Sequence, residues 1–117
     1  MEYTHKVLNE VYYWMLSKQK TIEIRPLSEK EKKIDVGDFI TFYNKDFEEK
    51  FVKVKVVEKK YFNCVEDILK TYDINLIMPG HKHDDIKQTL EEIYGEKYNK
   101  KELVVFKIEY ISSDKKE

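Results

Sequence analysis

The sequence has a single cysteine, no long apolar run and no excess of either charge. Because Cys64 is the only cysteine among 117 residues, a disulfide framework and a thiolate zinc site are excluded. No apolar segment reaches the length of a membrane-spanning helix, and the first residues lack the core of a signal peptide. We therefore expect a cytoplasmic protein with no membrane partner.

The charged residues are numerous but balanced. Lysine and arginine total 22 against 23 acidic residues, so the net charge is −1. This balance gives no whole-protein electrostatic argument for a nucleic-acid partner, although it leaves room for a local basic cleft. Apolar residues make up 41% of the chain, which favours a packed core over disorder. Without a repeat or a low-complexity linker, the chain is predicted to form one domain over residues 1–111 and a flexible tail over residues 112–117.

Hydrophobic periodicity predicts three helices and four strands. The first helix carries an apolar stripe with helical spacing, formed by Leu8, Val11, Tyr12, Met15 and Leu16. Strands are predicted at residues 20–25, 39–43, 51–58 and 103–111, and further helices at 64–72 and 84–94. Residues 26–35 are predicted to form a charged loop. Because few strands are separated by a helix, we expect an α+β fold, a small mixed or antiparallel β-barrel with helices packed at its rim.

Local signals predict where several elements begin and end. Gly37 predicts a turn. Asn63, with Glu66 three residues later, predicts the N-cap of one helix. Asp84 is predicted to cap the next helix, and Gly95 to end it.

The strand over residues 20–25 concentrates polar side chains. Ile22 and Ile24 alternate with polar neighbours, so the opposite face carries Glu23 and Arg25, with Lys20 at the entry. Arginine offers a planar fork for phosphate or guanine, and lysine a mobile point charge. A catalytic role would require a lowered pKa for Lys20, from burial or from the nearby guanidinium. The alternative is a surface ion pair worth about 0–1 kcal/mol.

Aromatic and histidine side chains are further candidates for ligand contact, and each also has an ordinary structural explanation. Stacking on a base, as opposed to core packing, is considered for Tyr13, Trp14 and Tyr43. His81 and His83 flank Lys82, but a structural zinc site usually needs four ligands, so we predict a solvated loop and no metal. His5 is expected to be a surface residue, with a place in a cleft as the alternative.

Three motifs follow one another in a defined order. They are the hexapeptide Lys20-Thr21-Ile22-Glu23-Ile24-Arg25, the segment Ile34-Asp35-Val36-Gly37-Asp38-Phe39-Ile40-Thr41-Phe42, and Leu76-Ile77-Met78-Pro79-Gly80. With the preceding helix and the valine-rich strand, this order resembles the ASCH domain of the PUA-like superfamily over about residues 5–111. The resemblance implies a β-barrel with a cleft beside the first helix and the first strand, lined by the Lys-x-x-Glu-x-Arg side chains.

The same resemblance implies a function. It indicates RNA, a nucleotide or a nucleoside as the partner, without a cofactor, and ligand binding by Lys20, Glu23, Arg25, Lys30 and Tyr43. The alternative is hydrolysis of RNA or of N4-acetylcytidine-like nucleosides, with Lys20 and Glu23 as catalytic candidates. A protein-interaction module is a further alternative.

The hydrolase alternative meets departures from the family pattern. Glu23 occupies the position of the catalytic threonine in the amidohydrolases of the family. Their catalytic glutamate has no clear match, and Glu66 and Asp67 are the nearest acids. Glu31 stands where many relatives have an arginine.

Overall fold

The structure is a computed structural model that describes residues 1–94 and 102–115. Five strands and four α-helices lie in this part of the chain. In chain order they are β1 (Glu2–Val7), α1 (Asn9–Leu16), β2 (Ile22–Pro26), α2 (Glu29–Lys33), β3 (Phe39–Asn44), β4 (Phe51–Phe62), α3 (Val65–Thr71), α4 (His83–Tyr94) and β5 (Leu103–Ser113). A 3₁₀ turn, Ile74–Leu76, precedes α4. None of the helices described is both long and apolar enough to span a membrane.

The strands form one mixed half-barrel sheet in the order β1-β3-β4-β5-β2. β1 runs parallel to β3, whereas all other neighbours are antiparallel. The long strand β4 has register shifts between Lys53 and Val54 and between Val56 and Glu58, and such bulges bend a strand. With helices packed at the rim, this confirms the predicted α+β, barrel-like architecture. β1 and β2 are the edge strands.

Two apolar cores hold the helices to the sheet. Alternation along β4 puts Val52, Val54 and Val56 in the first core, beneath Tyr12 and Met15 of α1. The second core joins β2 and β5 to α3 and α4, through Ile22, Ile24, Ile68, Ile86, Leu103 and Val105. Burial of large apolar side chains contributes about 1.5–3 kcal/mol each, so these contacts fix the helices on the sheet.

Strand β2 is buried on both faces. Ile22 and Ile24 belong to the second core, as their alternation predicts. Glu23 is paired in register with Phe106, a residue of the first core. The face that carries Glu23 is therefore covered by protein.

Two elements were absent from the prediction. β1 alternates between the exposed Glu2, Thr4 and Lys6 and the more buried Tyr3, His5 and Val7, but His5 interrupts the apolar face, so its period-2 signal is weak. α2 lies inside the segment predicted as a charged loop, which is a correction. Ser28 caps this helix by accepting a hydrogen bond from the Glu31 N–H, and the S-x-x-E spacing is a capping signature.

Two predicted caps are wrong. Cys64, not Asn63, is the N-cap of α3, and its side chain makes no capping hydrogen bond. At α4, the carboxylate of Asp85, rather than Asp84, accepts a hydrogen bond from the Lys82 N–H at 2.9 Å. The Gly37 turn is present, with φ at +97°. Gly95 lies outside the described residues.

The last strand continues beyond residue 111. Ser112 and Ser113 pair with Lys53 and Val52 of β4. These two residues belong to the segment predicted as the tail, and in the structure they extend the sheet.

Candidate functional site

A cavity of about 630 Å³ lies where the end of β1, the helix α1, the strand β2 and the helix α4 meet. Its volume is in the range of small-molecule sites. Apolar side chains from all these elements line it, among them Val7, Val11, Trp14, Ile77, Met78 and Leu90. Charged groups complete the wall: Glu23 and Arg25 come from β2, and Lys20 lies just before this strand.

Lys20 is a buried cation in this wall, with 6% of its surface exposed. After α1, the Lys20 N–H donates a hydrogen bond to the Trp14 carbonyl. This bond holds Lys20 beside the cavity. Its Nζ donates to the Ile22 carbonyl at 2.7 Å and the Ile77 carbonyl at 2.8 Å, and lies 3.4 Å from Glu23 Oε1. These three acceptors match the three protons of an ammonium group.

Glu23 joins two cations through its two carboxylate oxygens. While Oε1 faces Lys20, Oε2 accepts hydrogen bonds from Nε and Nη2 of Arg25, each at 3.3 Å. The Glu23 and Arg25 side chains are 9% and 15% exposed. The guanidinium carbon of Arg25 also lies 6.0 Å from the centre of the Phe42 ring. This group is therefore a buried network and not a solvent-exposed ion pair.

Burial and charge act in opposite directions on the pKa values of the network. Burial lowers the pKa of Lys20, and the Glu23 carboxylate only partly opposes this effect. Burial by itself would raise the pKa of Glu23, but Lys20 and Arg25 together hold that pKa below its ordinary value. Glu23 is therefore an anion at neutral pH.

A second polar group adjoins the network from β1 and α2. The His5 ring stacks on Phe42 with a centroid distance of 5.9 Å. His5 Nε2 lies 3.2 Å from Glu31 Oε1 but forms no aligned hydrogen bond among the described residues. Burial first, then the charges of Arg25 and Lys30, lower the pKa of His5 to about 3. The ring is therefore neutral at neutral pH.

The rim of the cavity carries flexible charges. Lys6 and Lys45 are exposed and line it, as do the acids Glu10 and Glu92. Both lysine side chains are long enough to contact the anionic group of a ligand outside the cavity while the apolar part of that ligand lies inside. The rim can thus accommodate a ligand with one charged end.

Trp14 and His81 form one side of the cavity. The His81 ring meets the indole edge-on at a centroid distance of 5.5 Å, and its Nδ1 lies 3.4 Å from Asp85 Oδ2. The indole thus presents an aromatic surface beside the charged wall. Of the three predicted stacking residues, Trp14 is the one that lines the cavity.

The predicted ligand-binding residues fall into two groups. The cavity brings together Lys20, Glu23 and Arg25. Lys30 lies outside it, with its ammonium on the Thr4 carbonyl. Tyr43 is also outside, on the exposed side of β3, and its ring packs near that of Phe51 at 6.2 Å.

Other predicted residues lie away from the cavity. The His5 side chain is only 8% exposed, so its assignment to the surface is wrong, but it does not line the cavity. Glu66 is paired with Lys87 across α3 and α4, and neither Glu66 nor Asp67 lines the cavity. Among residues 1–94 and 102–115, no group of three or more His, Cys, Asp or Glu side chains could hold a metal.

Sequence reasoning missed several charged residues of the site and of its surroundings. Lys6 could not be placed without β1, and Lys45 lies in a polar connection that carried no signal. Glu31 is 5% exposed, and its capping spacing from Ser28 was the available clue.

Solved structures provide comparisons for this fold, whereas neither a protein-family model nor a curated protein matches the sequence. The hypothetical protein PH0355 is 26% identical, with a TM-score of 0.82 over 95% of this chain and 100% of its own. Protein PF0455 from Pyrococcus furiosus is 25% identical, with a TM-score of 0.75 over 96% of this chain and 99% of its own.

A third match carries a domain name. The ASCH protein from Zymomonas mobilis is 14% identical and has a TM-score of 0.61, over 94% of this chain and 70% of its own. At this identity the match concerns the fold. With the half-barrel, the rim helices and the order of elements described above, it shows that the chain has the fold of the ASCH domain.

Proposed function

We propose that the chain binds RNA, a nucleotide or a nucleoside in the cavity beside β2. The observation that carries the proposal is the composition of the cavity wall. An aromatic ring, Trp14, and apolar side chains lie beside the network of Lys20, Glu23 and Arg25. Nucleobases combine a stacking face with a hydrogen-bonding edge, so this wall matches both of their properties.

The geometry favours different roles for the cations. Lys20 has three acceptors within the protein, which favours a role in holding β2 against the loop before α4. Lys6 and Lys45 are exposed at the rim, and we assign contact with phosphate groups to them. Trp14 supplies the stacking surface.

Trp14 provides a direct test because it is the only tryptophan in the chain. Titration with nucleosides, nucleotides and short single-stranded RNA should quench its fluorescence. RNA affinity should fall as salt rises, and Lys45→Ala should reduce the salt slope by about 0.7, the contribution of one phosphate contact on a single strand. The control is Lys55→Ala, at an exposed position of β4 outside the cavity, which should leave the salt slope unchanged. Absence of quenching by all these ligands would contradict the proposal.

Hydrolysis is the second candidate, and the lowered pKa of Lys20 is the observation that favours it. A general base, however, needs a free lone pair, and the Lys20 ammonium faces three acceptors. Release of cytidine from N4-acetylcytidine by the purified protein, abolished in Lys20→Met, would support this candidate. No turnover with a protein that binds the nucleoside would exclude it.

A further inference from the structure

The orientation of main-chain groups along β2 follows from two hydrogen bonds at its ends. The Ile108 N–H donates to the Thr21 carbonyl, and the Leu27 N–H donates to the Glu102 carbonyl, each at 2.8 Å. In an antiparallel pair, alternate residues exchange hydrogen bonds with the partner strand. Residues 21, 23, 25 and 27 are therefore the ones whose main-chain N–H and carbonyl groups point toward β5.

Ile22, Ile24 and Pro26 direct their main-chain groups to the opposite, open edge. The Lys20 ammonium on the Ile22 carbonyl, at 2.7 Å, independently supports this orientation. Pro26 has no N–H to offer. Ile24 lines the cavity, and the alternation of the ladder directs its N–H and carbonyl away from β5, its one neighbour in the strand order. One adjacent donor and acceptor thus face the cavity from β2.

The same reasoning applies to β1, the other edge strand. Hydrogen bonds run from the Phe39 N–H to the Met1 carbonyl and from the Lys45 N–H to the Val7 carbonyl. In this parallel register, odd-numbered residues of β1 bond to β3. The main-chain N–H and carbonyl groups of Thr4 and Lys6 therefore point to the open edge. Lys6 also lines the cavity.

Two ammonium groups limit how much of each edge is available. Lys20 covers the Ile22 carbonyl, and Lys30 covers the Thr4 carbonyl. An added peptide strand would pair with every second residue along an edge, and these lysines occupy the neighbouring positions. On β2, Ile24 lies between Ile22, whose carbonyl is covered, and Pro26, which has no N–H, so this edge suits a compact ligand rather than a strand.

We propose that the cavity recognises the hydrogen-bonding edge of a nucleobase through the main-chain N–H and carbonyl of Ile24. Each nucleobase presents a ring nitrogen next to an exocyclic oxygen or amino group, which gives an adjacent donor and acceptor. The main chain of one extended residue offers the complementary pair. The Glu23 carboxylate, already held between Lys20 and Arg25, then acts by keeping this strand in place. This inference rests on the proposed function and adds which part of the ligand the protein recognises, the hydrogen-bonding edge of the base.

The ligand side of the inference is tested with nucleosides whose edge is blocked. Uridine and guanosine are compared with 3-methyluridine and 1-methylguanosine in the Trp14 fluorescence titration. Methylation removes the ring N–H but leaves the stacking face, so affinity should fall at least tenfold. Equal affinity for parent and methylated nucleosides would overturn the inference and leave the proposed function standing.

The protein side is tested by removing one main-chain N–H. Ile24→2-hydroxy-3-methylpentanoic acid keeps the side chain and converts the amide to an ester, and should weaken binding of the parent nucleoside at least fivefold. The same replacement at Ile22, which has the same side chain and orientation but does not line the cavity, is the matched control. Equal loss in both variants, or loss in neither, would overturn the inference. Failure of every nucleoside, nucleotide and RNA to bind would overturn the proposed function and this inference with it.

Discussion

The ammonium group of Lys20 lies 3.4 Å from the carboxylate of Glu23, and both side chains are less than a tenth exposed. A buried ion pair adds little stability over an apolar pair of similar shape, because desolvation offsets the attraction. Removing one partner is costly, since it leaves a buried charge uncompensated. The pair therefore makes the geometry of β2 sensitive to single substitutions.

Neutralising the carboxylate should destabilise the protein strongly. Glu23→Gln keeps the shape of the side chain but removes the negative charge between Lys20 and Arg25, so the free energy of unfolding should fall by about 3 kcal/mol. Urea denaturation at neutral pH measures this change. The double variant Glu23→Gln with Lys20→Met should recover at least about 1 kcal/mol of the summed losses. Strictly additive losses would show that the two groups are not coupled.

His5 should make stability depend on pH in mildly acidic solution. Its pKa is lowered to about 3 in the folded protein, against about 6.5 in an unfolded chain. The unfolded state therefore binds more protons between these values. The contribution of the neutral His5 ring to stability is complete above pH 6.5. It is lost as the pH falls, by up to about 1.4 kcal/mol per pH unit.

The variant His5→Gln isolates this effect from the titration of carboxylates. Denaturation of both proteins at pH 7.5 and pH 4.5 should show the larger acid-induced loss in the unmodified chain. If both proteins lose stability equally, His5 is not held neutral by its surroundings.

A residue with a side chain occupies a backbone conformation that favours glycine at the end of α1. Lys18 has φ at 66°, and its N–H donates to the Met15 carbonyl at 3.0 Å, as in the common C-terminal helix caps. A left-handed conformation costs residues with a Cβ about 1–2 kcal/mol. Lys18→Gly should therefore be more stable than Lys18→Ala by about 1 kcal/mol, the reverse of their order within a helix.

The comparison of these two variants is internally controlled. Both lose the lysine ammonium, which lies 4.9 Å from the centre of the Tyr110 ring, so only the backbone preference differs. Thermal or urea unfolding gives the ranking. An alanine variant as stable as the glycine variant would show that the conformation is not strained.

The outcome at β2 shows what a sequence pattern can and cannot predict. Alternation correctly separated Ile22 and Ile24 from Glu23, because side chains on a strand point to opposite faces. It could not predict that Glu23 is buried, since what covers a face depends on residues distant in sequence, here the first core, to which the neighbouring Phe106 belongs. The polar cluster was therefore found, but its environment was not.

The strand β1 shows a second limit of the same kind. Its inward face is only partly apolar, with His5 between Tyr3 and Val7, and the strand is completed by its pairing with β3. Lys6 and His5 were placed by that pairing. By contrast, α1 and β4 were predictable because each buries one continuous apolar face.

The extension of β5 leads to a prediction about the C-terminal residues. Asp114 Oδ1 accepts hydrogen bonds from the Tyr12 hydroxyl at 2.6 Å and from the Phe51 N–H at 3.0 Å. Tyr12 is fully buried, so removing the acceptor leaves its hydroxyl unsatisfied. Asp114→Ala should lower the free energy of unfolding by about 1–3 kcal/mol.

Urea denaturation of three further variants tests whether this anchor is specific. A chain ending at residue 111 should lose at least as much stability as Asp114→Ala, because it also loses the Ser112 and Ser113 pairs with β4. Lys115→Ala, on an exposed residue, should change stability by less than about 0.5 kcal/mol. In Asp114→Ala combined with Tyr12→Phe, no hydroxyl is left without its acceptor, so the combined loss should be smaller than the sum of the single losses. Full stability in the shortened chain would show that these residues form a flexible tail and that the aspartate does not anchor α1.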